Sequence, residues 1–300
     1  MDKELTLYKD YLRKNANLTE NSVNAYLSDL AAFTGFLSEK NGRSPADALK
    51  ADVADYLLKL SQGGKSAATV NRKLASLRAY YKFLADRGEI GESPAVSIKS
   101  PRIRRKEIEY LTIEEVDKLL AAPPDGDIGL RDAAILETLY ATGMRVSELM
   151  FVDVEDVNLR MGFVSCDGSH GKARIIPLGR PARAALEKYI YEVRPHFRRG
   201  TEKRNKKGDD ALFLNYYGER ITRQALWKIL RGYAEKVGLG KKITPQILRN
   251  SFAVHMVQNG ADLKSLQELM GHEDPIATQA YLAVSKSRIK DVYDRAHPRA

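Results

Sequence analysis

The sequence predicts a mainly α-helical protein in two parts, an N-terminal bundle of helices and a C-terminal mixed α/β domain with one small antiparallel sheet. Three observations predict it. Apolar residues recur at helical spacing up to about Arg87, a stretch rich in Pro, Gly and basic residues interrupts them, and two short strand-like runs flank a turn further on. The boundaries fall at residues 1–88 for the bundle, 89–108 for a basic linker and 109–300 for the second domain.

The bundle reads as helices only. In ENSVNAYLSDLAAFTGFLSEK, Val23, Tyr26, Leu27, Leu30, Phe33 and Leu37 form one apolar stripe, with Thr19 placed as its N-cap. A third helix spans about Ala46 to Leu60 and stops at Gly63-Gly64. The next begins after Ser66 and turns Val70, Leu74, Leu77, Tyr81 and Leu84 inward until Gly88 ends it. Short-linked helices of this kind pack as a compact bundle.

The linker GEIGESPAVSIKSPRIRRKEI carries Lys99, Arg102, Arg104, Arg105 and Lys106. It reads as an extended connector, either simply solvated or lying along a phosphate backbone.

Beyond it, Thr112 stands three residues before Glu115, a capping box, and the buried helix GLRDAAILETLYATG ends at Gly143. Gly162–Cys166 and Ala173–Leu178 read as the strands of a hairpin around the turn from Gly168 to Lys172. Helices follow over Pro181–Val193, Thr222–Val237, Pro245–Asn259, Asp262–Met270 and Pro275–Leu282. The charged run at 198–210 reads as an exposed loop, and Trp227 falls with Leu226 and Leu230 on the apolar side of its helix.

Composition narrows the function classes. Lys and Arg number 49 against 39 Asp and Glu, a net charge of +10 that suits a polyanionic partner, although basic chains without one are common. The single cysteine, Cys166, excludes an internal disulfide. The opening MDKELTLYKDYLRKN is too evenly charged for a signal peptide, and no apolar run approaches the ~18–20 residues of a membrane helix. A cytosolic protein is the expectation.

Breaking a phosphodiester takes a nucleophile, positive charge on the non-bridging oxygens and a proton donor for the leaving oxygen. Arg145 and Arg249 offer planar forks for the oxygens, His272 a further donor and Tyr281 a nucleophile. Taken singly, each has a plainer reading. Arg145 stands three before Glu148 and could be half of a surface ion pair, Arg249 could lie on a solvated helix face, and Gly271-His272 could merely close a helix.

The blocks ATGMRVSELMFVDVEDV at 141–157 and PQILRNSFAVHMVQNGADLKSLQELMGHED at 245–274, with Tyr281 after them, resemble the signature blocks of the tyrosine recombinases, the phage integrase family. The chain is most similar to the bacterial Xer type, down to the terminal HPRA, and the likeness extends over nearly its whole length. The resemblance implies a SAM-like core-binding bundle and a catalytic domain that together grip duplex DNA as a C-shaped clamp. It implies strand cleavage and rejoining through a 3′-phosphotyrosine on Tyr281, with no cofactor and no metal. The tail, about 285–300, reads as one further helix that either folds back on its own domain or, as the resemblance implies, docks into the neighbouring protomer and builds a tetramer on paired sites, with itself or with a paralogous recombinase. The setting it implies is the bacterial cytoplasm, at the nucleoid, in dimer resolution, integration or mobile-element movement.

Two positions depart from the resembled pattern. Where it has a hairpin lysine that protonates the leaving oxygen, this chain has Ser169, and Lys172 in the same turn is the nearest replacement or else a solvated lysine. Where it has histidine before the second arginine, this chain has Gln246, which can donate a hydrogen bond but cannot transfer a proton at neutral pH. Asn250 likewise replaces a histidine, and His255 in the same helix points elsewhere, as a core or supporting residue. A catalytically impaired, DNA-binding paralogue therefore stands as the alternative to an active recombinase.

For DNA contact, Lys65, Ser66, Thr69, Arg72 and Lys73 cluster near one helix start, Thr222, Arg223 and Gln224 at another, and Arg102, Arg104 and Arg105 in the linker. Helix N-termini with basic side chains suit phosphates, and Arg and Gln suit guanine and adenine edges.

Overall fold

The computed structural model describes residues 2–14, 18–102, 107–167, 173–198, 210–240, 243–271 and 278–281. The chain divides into two compact units, Met1–Lys106 and Glu107–Ala300.

The first unit holds α1 (Asp2–Lys14), α2 (Glu20–Lys40), α3 (Lys50–Gln62) and α4 (Ala67–Asp86). Thr19 caps α2 by accepting from the Ser22 amide, and Ser66 caps α4 by accepting from Thr69. The expected stripe is inside: Val23, Leu30, Phe33 and Leu37 from α2 meet Val70, Leu74, Leu77, Tyr81 and Leu84 from α4, with Tyr8 and Leu12 of α1 beside them. α3 starts later than its apolar pattern suggested. Residues Pro45–Asp47 make a separate 3-10 turn, and the Asp52 carboxylate accepts the Leu49 amide at 3.0 Å, fixing the helix start there.

Part of the expected connector is docked on this unit. Ala95 is fully buried, Arg78 of α4 donates to the Ala95 and Ile98 carbonyls at 3.3 and 2.5 Å, and Asn71 donates to the Pro101 carbonyl at 2.9 Å. These donors satisfy carbonyls of irregular backbone that would otherwise need water.

The second unit contains α5 (Ile113–Leu120), α6 (Asp127–Thr142), α7 (Val146–Phe151), a sheet, and α8 (Arg180–Lys188), α9 (Arg194–Arg198), α10 (Arg223–Lys236), α11 (Pro245–Gln258) and α12 (Leu263–Met270). The capping box forms as read: Glu115 accepts from the Thr112 amide and Thr112 from Glu115. The hairpin forms too, as β2 (Phe163–Asp167) and β3 (Ala173–Pro177), and a third strand β1 (Val157–Asn158) joins it in the order β1-β2-β3, antiparallel throughout. The helix expected over Pro181–Val193 is α8 followed by a π-helical turn at Tyr189–Val193, where the Tyr189 hydroxyl accepts from the Leu214 amide at 3.0 Å. α6 runs through the core of this unit, its Ala134, Ile135, Leu136 and Leu139 packed among β2, β3, α8 and α11 residues. Trp227 departs from expectation. It is 38% exposed, because Leu226 and Leu230 take the buried stripe of α10 and leave the indole on the flank.

Candidate active site

The site is built where two chain reversals meet. α6 ends at Gly143 in the left-handed conformation (φ 58°), where a Cβ would collide with the Phe252 ring of α11. The turn sets Arg145 as the N-cap of α7, and Glu148 closes a capping box from inside by accepting the Arg145 amide at 2.6 Å. α12 ends at a second left-handed glycine, Gly271, over which the Arg174 guanidinium lies so closely that a Cβ would sit 2.8 Å from Nη1.

Glu148 is the hub. Its carboxylate, 7% exposed, accepts from Arg145 Nη1 at 2.8 Å and from Arg174 Nη1 and Nη2 at 3.1 and 2.8 Å, and Arg249 Nη1 stands 3.9 Å away. Burial alone would raise this carboxyl, but the hydrogen bonds from Arg174 and the Arg145 amide hold it below the usual range. Three guanidinium groups thus surround one carboxylate, leaving two positive charges in excess. Such a pocket suits an anion.

Arg249 projects from α11, which begins at Thr244 with Pro245 in its first turn. It is buried, and donates to the Gly143 carbonyl at 2.5 Å and the Met270 carbonyl at 2.6 Å. Burial, and then the neighbouring Arg145 charge, pull its pKa down to about 10, so it stays protonated at neutral pH. Arg145 is more open; its Nη2 donates to the Gly271 carbonyl at 3.2 Å. An open cleft of about 540 Å³ lies beside it, lined by Ser147, Glu148, Phe151, Ser165 and Cys166 among others.

Tyr281 lies in a helical turn at 278–281 and is buried. Its hydroxyl donates to Asn250 Oδ1 at 3.1 Å. Burial raises the phenol pKa, while Arg249 and Arg145 pull it back. The structure therefore brings Arg145, Arg249 and Tyr281 together. Gln246 is exposed, and its amide donates to Asn250 Oδ1 at 2.9 Å. His255 is buried in a hydrogen bond with the Tyr140 hydroxyl at 2.9 Å, a supporting residue as read. His272, Lys172 and Ser169 lie outside the described residues, as do Arg104, Arg105, the loop at 199–209 and the tail helix.

Two site residues escaped the reading of the sequence: Arg174, and Glu148 in its role as shared acceptor. A signal for Arg174 exists. It pairs across the sheet with buried Cys166 and shares strand parity with buried Ile176, so a charged side chain on that parity must find a buried partner.

The proposed DNA contacts are dispersed over both units. Lys65 and Arg102 are exposed, as are Thr222, Arg223 and Gln224, with Thr222 capping α10. Thr69 is half-buried and its hydroxyl meets Ser66 at 2.9 Å. Arg72 and Lys73 are committed elsewhere. Both pair with Asp29 of α2, Lys73 at 2.8 Å, because a carboxylate only 3% exposed needs counter-charge.

Comparison with known proteins decides the family. The phage integrase family matches residues 109–288, and the N-terminal SAM-like domain of phage integrases matches 5–88. The tyrosine recombinase XerD of Listeria monocytogenes serotype 4b (strain F2365) is 42% identical over 292 residues, 97% of each chain. The chain belongs to the phage integrase family. It is a tyrosine recombinase, an enzyme of DNA cleavage and rejoining. Tyrosine recombinase XerC of Herpetosiphon aurantiacus is 40% identical over 301 residues, all of this chain and 96% of that one. Among solved structures, the XerH recombinase bound to palindromic difH substrate aligns with TM-score 0.75 at 22% identity, over 94% of this chain and 82% of that one. A lambda integrase(75–356) dimer on a COC′ core site aligns with TM-score 0.72 at 21% identity, over 94% of both. At that identity the likeness speaks for the fold.

Proposed function

We propose that this tyrosine recombinase acts at specific sites in duplex DNA and that Tyr281 is its nucleophile. One observation carries the reading: the buried phenol of Tyr281 shares its surroundings with Arg249 and Arg145, the cations in excess around Glu148. In the proposed step Oη attacks phosphorus and its proton passes to water. The P–O5′ bond breaks, the 5′ oxygen gains a proton, and the strand remains as a 3′-phosphotyrosine. The arginines bind the non-bridging oxygens and hold the charge that builds on them. Reversal by a 5′-hydroxyl restores a phosphodiester, so one ester replaces another and no external energy is needed.

His272 and Lys172 join the proposal as donors to the phosphate and to the leaving oxygen. Lys65, Arg102, Thr222, Arg223 and Gln224 are proposed to contact the duplex. The relatives whose solved complexes contain DNA support a DNA partner here. A tetramer on paired sites, with itself or with a paralogous recombinase, belongs to the same proposal, as does a place in the bacterial cytoplasm. Among the described residues no helix is long and apolar enough to cross a membrane.

The test uses a nicked duplex that traps the covalent state, carrying the site that the protein selects from random sequence. A denaturation-resistant protein–DNA adduct is expected, and its loss in Tyr281→Phe. A second reading, binding without cleavage, is favoured by Gln246, whose amide is engaged with Asn250 rather than offered as an acid or base. It predicts tight, salt-sensitive binding of the same site with no adduct.

A further inference from the structure

The position after Arg249 holds asparagine, and its side chain is a junction of hydrogen bonds. Oδ1 of Asn250 accepts from Tyr281 Oη at 3.1 Å and from Gln246 Nε2 at 2.9 Å, while Nδ2 donates to the Glu109 carbonyl at 3.0 Å. The Glu109 carbonyl can only accept, so it fixes which end of the amide faces the phenol. That end is the oxygen.

A carboxamide oxygen accepts a hydrogen bond but takes no proton at working pH. Before attack the Tyr281 hydrogen therefore points at Asn250, which turns the Oη lone pairs away from α11's amide; on attack the proton leaves to water and not to Asn250. Among the described residues, Arg249 of α11 and Arg145 at the start of α7 act on the phenol with their charge. We infer that Asn250 is a positioning residue for the nucleophile: it aims the lone pairs of Tyr281 Oη at a phosphate held by the arginines, and Gln246 with the Glu109 carbonyl locks its amide. The inference rests on the reading of Tyr281 as nucleophile. It also gives Gln246 a use that needs no proton transfer. Orientation is worth having because attack requires a lone pair on phosphorus at close range, and a small misplacement costs rate steeply.

Two measurements on the full chain test it. In protein without DNA, labelled with ¹³C at tyrosine Cζ, the Tyr281 resonance is the one missing from Tyr281→Phe. Asn250→Leu should move that resonance and lower its titration midpoint, because a bond to the neutral phenol has been removed. An unmoved resonance overturns the inference. On the nicked duplex described above, Asn250→Leu should slow single-turnover adduct formation ~10–100-fold with unchanged DNA affinity. Asn250→Asp, which keeps an oxygen acceptor, should recover part of the loss. Gln246→Leu, at an exposed position with little effect on folding, should slow the step in the same direction by a smaller factor. Leucine variants that cleave as fast as the parent, or faster, sink the inference alone. A parent that forms no adduct, or an adduct that survives Tyr281→Phe, sinks the reading beneath it.

Discussion

Arg174 grips Glu148 with both terminal nitrogens, Nη1 to Oε1 at 3.1 Å and Nη2 to Oε2 at 2.8 Å. The pair joins strand β3 to helix α7, and Arg174 Nε reaches on to the Leu269 carbonyl of α12 at 2.9 Å. A two-point bond between planar groups fixes angle as well as distance. Arg145 closes on the same carboxylate from its backbone and its side chain, so the orientation of the more exposed arginine depends on a residue that need never touch DNA.

Glu148→Gln keeps the shape and removes the charge, leaving Arg174 half-paired in a buried place. Unfolding of the second unit should become easier by ~3–5 kcal/mol. Trp227, the only tryptophan, lies in that unit, so its fluorescence in urea follows this transition and not that of the bundle. The difference should depend on pH. The folded carboxyl titrates below its ordinary 4.5, so its stabilising contribution is complete above that pH and fades as pH falls through the lower folded value. Parent and variant should therefore converge in acid. A constant gap down to strong acid contradicts the ion-pair account.

The bundle separates exposed cations from committed ones. Lys65→Ala should reduce the slope of log affinity against log salt by ~0.9 if the side chain meets a phosphate. Lys73→Ala should leave that slope nearly unchanged and instead destabilise the bundle, since Asp29 loses a partner inside. Salt titrations of duplex binding, with thermal melts alongside, measure both. Equal slopes for the two variants would show that Lys73 leaves Asp29 on DNA.

Backbone at the site is equally specific. Gly143→Ala puts a Cβ into the Phe252 ring at a left-handed position and disturbs the carbonyl that Arg249 uses. The expected cost is ~2–4 kcal/mol, against ~1 kcal/mol for Gly260→Ala, also left-handed but with open space around it. Urea unfolding read at Trp227 compares them. Similar losses would mean that the close approach to α11 relaxes easily.

Ser169→Lys tests the departure in the hairpin. A proton donor for the leaving oxygen should raise single-turnover cleavage at least ~10-fold, in line with the ~10²–10⁴ that a positioned acid contributes. No change would indicate that Lys172 or solvent already serves that oxygen.

Much of this is legible in the sequence. The stripes of α2 and α4, the Thr19 and Thr112 caps, the Gly143 stop and the β2–β3 hairpin follow from spacing and turn chemistry, which are local. Arg145, Arg249 and Tyr281 were singled out by motif, and the structure gathers them. What escaped was non-local. The partner of Arg174 is 26 positions away in sequence and the Asn250 partner of Tyr281 is 31, and no periodicity connects such pairs. The ion pair of Lys73 is non-local for the same reason, because its basic run hides that Asp29, 44 positions earlier, is buried opposite it. Trp227 misled because helical spacing gives a face only to within a residue, and a large ring at the edge of that face stays half in solvent.

The most direct measurement is to digest the trapped adduct with trypsin and find the modified peptide by mass spectrometry. The peptide 265–286 contains a single tyrosine, Tyr281. The nucleotide should be attached there, with Arg145→Ala and Arg249→Ala each abolishing adduct formation while the protein still binds the duplex. A nucleotide on any other residue, or an adduct undiminished by loss of both arginines, would contradict it.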